Sequence, residues 1–169
     1  MRLWHKDFIY VLPRQQLVSQ LRECVLIAKN IKELGKPNHV LVNPIMNFPL
    51  EHFIRYIDLV ISTMEIRNYK IRPETVAKLE KYLGVKPQKK VLKPQKVLKP
   101  QKRVQMLELF KGWHDEFYLD ICFWNLLEKY KCGGIPETEF KPVLDRYFFN
   151  KNFIYAPTES ILIKFKGVK

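Results

Sequence analysis

Apolar residues recur at intervals of three and four in two long stretches of this chain, and each stretch is bracketed by helix-breaking residues. In the first, Leu17, Leu21, Cys24, Val25, Ala28 and Ile31 form one stripe. That period places them on one face of an α-helix. Pro13 suits the first helical position, where its missing N–H is not needed. Gly35 followed by Pro37 stops the helix. The opposite face carries Arg22, Glu23, Lys29 and Lys32. In the second stretch Leu50, Phe53, Ile54, Ile57, Val60, Ile61 and Met64 predict a helix over 49–69 with one buried stripe. A shorter helix is expected at 73–83, with Gly84 as its stop. A further helix is expected over 113–131. Its aromatic stripe is Phe117, Ile121, Trp124 and Leu127, with Tyr118 and Leu126 alongside and Gly133-Gly134 at its end. Trp113, Phe117, Tyr118, Phe123 and Trp124 are expected mainly in the core. A last short helix belongs within 136–149. Residues 39–42 read as loop within a Pro/Asn-rich connection, and 161–165 as a short strand. The expected fold class is mainly α: one compact helical domain with irregular connections.

A low-complexity insert interrupts this pattern. Lys-Pro-Gln-Lys occurs three times between Lys86 and Val104, spaced by six or seven residues. Proline at that spacing blocks a continuous helix, and like charges repel, so the segment is expected to be an extended loop. The chain therefore divides into an N-terminal helical part (1–85), the basic insert (86–104) and a C-terminal helical part of the same domain (105–169). The formal net charge is +13, of which the insert supplies about 8 and the remainder about +5. Such an excess favours a polyanionic partner, nucleic acid or an anionic membrane surface. The insert lacks the amphipathic helix that holds a segment on a membrane.

Several classes are excluded on composition. With 47% hydrophobic and 13% aromatic residues the chain is not of the disordered type. No apolar run reaches the roughly 20 residues that span a bilayer, and the N-terminus does not read as a signal peptide. Cys24, Cys122 and Cys132 are odd in number and include no C-x-x-C pair, so neither a disulfide framework nor a zinc site is expected. His39, His52 and His114 lack ligand spacing. There is no Gly-rich phosphate loop, G-x-S-x-G or H-E-x-x-H. A soluble, cytoplasmic or nucleoid-associated monomer without metal or cofactor is the expectation.

The most specific residues stand at the start: Met1-Arg2-Leu3-Trp4-His5, then Leu12-Pro13-Arg14-Gln15-Gln16-Leu17, then Gln20-Leu21-Arg22-Glu23-Cys24. These strings resemble the pyrimidine dimer DNA glycosylase family, which includes the endonuclease V type of phage repair enzyme. Gly35-Lys36, Val42-Asn43 and Arg67-Asn68-Tyr69 extend the resemblance, as do His114 through Asn125, Glu128-Lys129-Tyr130 and Cys132-Gly133-Gly134-Ile135. Met1-Arg2-Leu3 aligns with the family's Thr-Arg-Ile if one residue is inserted before the helix.

The resemblance implies a particular chemistry. In the family the nucleophile is the α-amine of the first mature residue. An α-amine titrates at about 7.7–8.0, so much of it is neutral near pH 7–8, whereas a lysine at about 10.4 is not. It attacks the sugar C1′ of the damaged nucleotide, forms an imine, and β-elimination then cuts the strand. A carboxylate beside the sugar steadies positive charge and moves protons. By this resemblance Met1 supplies the amine and Glu23 the carboxylate. Arg2 and Arg22 hold flanking phosphates, and His5 and Arg14 join the DNA-binding set. The partner implied is double-stranded DNA with damaged bases or abasic sites. Two other readings stay open on the residues alone: a DNA- or RNA-binding module that keeps the fold without the chemistry, and an interaction protein whose basic loop docks on acidic partners.

Overall fold

The computed structural model describes residues 1–85 and 109–151. The Lys-Pro-Gln repeat and the strand expected at 161–165 lie outside the described residues. Those described are mainly α-helical, and none of them is in a strand. In chain order the helices are α1 (Arg14–Leu34), α2 (Leu50–Ile66), α3 (Pro73–Leu83), α4 (Glu116–Lys131) and α5 (Glu137–Asn150). Two 3-10 turns, Lys6–Val11 and Asn43–Asn47, add to them. No helix among the described residues is long and apolar enough to cross a membrane.

α1 starts where proline predicts it, with Pro13 as the residue just outside the helix. Proline offers no side-chain cap there. The exposed Arg14 N–H is instead capped from another element, by the Glu139 carboxylate of α5 at 2.6 Å. A carboxylate at that end also meets the positive pole of the helix. Gly35 closes α1 in the left-handed conformation, φ 73°, which glycine adopts without steric cost.

α2 ends three residues before the expected limit, and the reason is local. Asn68 takes φ 58°, a region where asparagine is the commonest substitute for glycine. Its N–H donates to the Glu65 carbonyl at 2.9 Å, and the Tyr69 N–H to the Met64 carbonyl at 2.8 Å. This is a Schellman closure: it satisfies two free carbonyls of the last turn and sends 69–72 away from the helix axis.

α2 is the central helix, and more of it is buried than one stripe. Phe53, Tyr56, Ile57, Leu59, Val60, Ile61, Ser62, Thr63 and Met64 are all inside. α1 packs on α2 and on α3, while the turn at 6–11 packs on α2 and α5. Leu50, expected in the stripe, is exposed instead, because it lies in the first turn, beyond these neighbours.

α4 departs further from expectation. It begins at Glu116, capped by the Asp115 carboxylate on the Tyr118 N–H at 2.8 Å. Its buried face is Leu119, Cys122, Phe123, Leu126 and Leu127, which shares Leu126 and Leu127 with the predicted stripe but not its aromatic members. Phe117 and Trp124 are 73% and 55% exposed. The face was misread because Leu119, Cys122 and Leu126 pack as well as larger side chains. Stacked ring pairs join α4 to α5, Phe123 on Tyr147 at 3.8 Å and Tyr130 on Phe140 at 4.4 Å.

Candidate active site

Residues 1–5 form neither helix nor strand, yet Leu3, Trp4 and His5 are buried. Buried backbone without secondary structure must find other hydrogen-bond partners. Side chains from across the fold supply them. The Trp4 N–H donates to Gln20 Oε1 of α1 at 3.0 Å. The Trp4 carbonyl accepts from the Tyr56 hydroxyl of α2 at 2.7 Å. The Leu3 carbonyl accepts from the Tyr118 hydroxyl of α4 at 2.7 Å. The Lys6 N–H donates to His114 Nδ1 at 3.0 Å, and the buried Lys6 ammonium donates to the Leu109 and His114 carbonyls. At the far end the Arg67 guanidinium donates to the Tyr10 and Leu12 carbonyls.

Glu23 completes the series. The Arg2 N–H donates to Glu23 Oε2 at 2.9 Å. The carboxylate of α1 is thus held against the first peptide unit of the chain, with the Met1 amine the next group along. Glu23 is half-buried, although its place in α1 put it on the expected polar face. Its neighbour Arg22 is exposed.

The Arg2 guanidinium lies 5.5 Å over the Trp4 ring. One of its nitrogens, Nη1, is buried and has no hydrogen-bond partner among the described residues. Arg2 and Tyr118 also reach the Cys122 thiol; burial pushes that thiol up to about 11 against their influence. Burial likewise pushes the Tyr118 phenol well above its ordinary value. It raises Cys24 too. Cys24 and Cys122 therefore stay protonated near neutral pH and are poor nucleophiles.

His5 departs from expectation. It is 2% exposed and stacks on His114 at 5.1 Å. Its Nδ1 accepts from the Asp7 N–H at 3.3 Å, capping the turn at 6–11. In this position it presents no surface to a phosphate, and its visible work is structural. Burial lowers the pKa of His5 and, further, that of His114. A small polar string is as compatible with an interior cap as with a surface contact, and sequence does not separate the two.

Arg14 and Arg22 both stay on the surface, one turn either side of Val18 on a single ridge of α1. Two grooves flank this ridge. One, about 630 Å³, runs between α1 and the turn after α2, where Asn68, Tyr69, Lys70 and Arg72 line its far wall. The other, about 550 Å³, runs toward the start of α5, past Gln15, Gln16 and Glu139. The Arg14 guanidinium lies 5.2 Å over the Tyr69 ring. Among the described residues no cluster of three or more metal-binding side chains occurs.

Sequence reading missed the positioning set, Gln20, Tyr56, Arg67 and Tyr118. Gln20, Arg67 and Tyr118 lie within the resembling strings, but a string does not reveal which backbone group a side chain meets. Lys70 and Arg72 were missed because isolated surface cations carry no periodic signal.

The family model described as pyrimidine dimer DNA glycosylase matches residues 1–76. That span holds the N-terminal segment, α1, α2 and the turn with Lys70 and Arg72. The resembling strings from His114 onward fall outside it. No curated protein and no solved structure matches the chain.

Proposed function

From the match of residues 1–76 to the pyrimidine dimer DNA glycosylases, we propose that this chain is a DNA repair glycosylase with abasic-site lyase activity. Its substrate is duplex DNA bearing a pyrimidine dimer or a related base lesion. The observation that carries the reading is the 2.9 Å bond from the Arg2 N–H to Glu23. It joins the two groups the chemistry needs, an α-amine and a carboxylate, through one peptide unit.

The reaction runs as follows. The lesion opens by flipping a nucleotide out of the stack, which exposes C1′. The Met1 amine nitrogen bonds to C1′, and the C1′–base bond breaks with its electron pair leaving on the base. Glu23 accepts the proton released from the amine and steadies the positive charge as the sugar ring opens to the imine. Loss of a C2′ proton then expels the 3′ phosphate and cuts the strand. Arg2 and Arg22 hold phosphates beside the reacting sugar. The scheme calls for neither metal nor organic cofactor.

Fixing the amine is the part this fold supports most directly. A nucleophile held near its target gains rate from lost translational freedom alone. Here residues 2–12 are tied by side chains from α1, α2 and α4, so the end of the chain has little freedom to wander.

The test is borohydride trapping of the untagged protein on a duplex with one abasic site, the adduct being mapped by mass spectrometry. A covalent adduct at Met1 is expected. Its absence, with the amine verified free and DNA binding intact, overturns the enzymatic reading.

A further inference from the structure

We infer that the groove between α1 and the turn after α2 is a track for one sugar–phosphate strand, gripped on its far wall by Lys70 and Arg72. The inference rests on the DNA-directed reading above and extends it to two residues that lie outside the amine–carboxylate pair.

The groove is lined by four cations, Arg14, Arg22, Lys70 and Arg72, and by no acidic residue. All four are exposed, and among the described residues none is in an ion pair. Ion pairs do form elsewhere, Lys29 with Glu33 and Lys151 with Glu116 and Asp120. Unpaired cations converging on one groove make a site for a polyanion.

Spacing favours an extended polyanion over a single phosphate. Arg14 and Arg22 stand eight residues apart on α1, about 12 Å at about 1.5 Å per residue. A strand of duplex DNA advances about 3.4 Å per phosphate along the helix axis, so the ridge reaches past a single phosphate. Asn68 holds the opposite wall in place through its left-handed closure, and Tyr69 steadies Arg14 by lying under its guanidinium. Glu23 follows Arg22 by about a quarter-turn of helix and lies outside the lining of this groove.

The test measures duplex binding against salt, using DNA with one tetrahydrofuran abasic analogue. Neutralising a phosphate contributes about −0.9 to the slope of log K against log salt. The double variant Lys70→Gln, Arg72→Gln is expected to flatten the slope by about 1.8. Lys70→Arg with Arg72→Lys is expected to retain it, which guards against misfolding as the cause. Lys78→Gln, exposed on α3 outside the groove, is expected to leave it unchanged. If wild type forms the borohydride adduct but the double variant keeps the full slope, the track is wrong and the glycosylase reading stands. If wild type forms no adduct but the slope flattens, the glycosylase reading falls and the track stands. Equal flattening by Lys78→Gln overturns the track, because the effect is then general charge.

Discussion

Between residues 2 and 12 polar backbone groups meet side-chain partners from α1, α2 and α4, whereas along the α1 groove four cationic side chains meet no carboxylate among the described residues. Both regions lie within the first 76 residues. The first is buried, where an unmade hydrogen bond costs its full desolvation penalty. Its bonds are therefore obligatory, and each reduces motion of the chain end. The second is exposed, where water satisfies the cations and an added ion pair contributes little. Its cations remain ready to exchange water for phosphate. One region fixes a group in place; the other keeps charge available to a partner.

The largest expected effect cuts the link at the head of the buried region. Glu23→Gln keeps the shape and loses the charge, and trapping on abasic DNA is expected to slow by about 10²–10⁴-fold, the range for an acid–base group. Equilibrium binding to the same duplex is expected to hold. An unchanged trapping rate removes Glu23 from the chemistry.

Gln20→Leu attacks the same region through the backbone. It leaves the buried Trp4 N–H without its acceptor, at an expected cost of about 1–3 kcal/mol, read by urea unfolding. Trapping is expected to slow as well, because the chain end loosens. A stability loss with full trapping rate would show that the amine needs no such tether.

Stability is also expected to fall with acidity. His5 and His114 have pKa values lowered mainly by burial, so the unfolded chain binds protons more readily. Their neutral forms contribute fully above about pH 6.5, and that contribution is lost as pH falls below it. The charged and titratable groups around the pair are Lys6, Asp7, Asp115 and Tyr118. Urea midpoints at pH 7.5 and 5.0 should differ less in His114→Gln, which can still accept from Lys6. An unaltered difference would place the acid sensitivity elsewhere.

The smallest effect concerns the groove wall. Asn68→Gly is expected to change stability by less than about 1 kcal/mol, since glycine also accepts φ 58°. Asn68→Val is expected to cost more, because a β-branched residue is strained there. Equal melting temperatures for the two variants would mean that the closure does not shape this turn.

The starts of α1 and α3 were legible because proline and glycine act on their own backbone, and the core side of α1 because its stripe is unambiguous. The face of α4 was not. Its apolar residues nearly encircle the helix, and only contact with α5 selected Phe123 over Trp124. The end of α2 depended on one asparagine adopting a conformation that its identity permits but does not demand.

Within the candidate site, the N-terminal strings named Met1, Arg2, Arg14, Arg22 and Glu23, and composition showed the excess of positive charge. What each residue touches was decided by the tertiary structure. It turned Glu23 inward to the first peptide and His5 into the interior. It also brought Lys70 and Arg72 across from Arg14 and Arg22. Helices are set by neighbours in sequence, through hydrogen bonds four residues apart. A hydrogen bond between residues 2 and 23, or a groove shared by residues 14 and 72, exists only once helices pack.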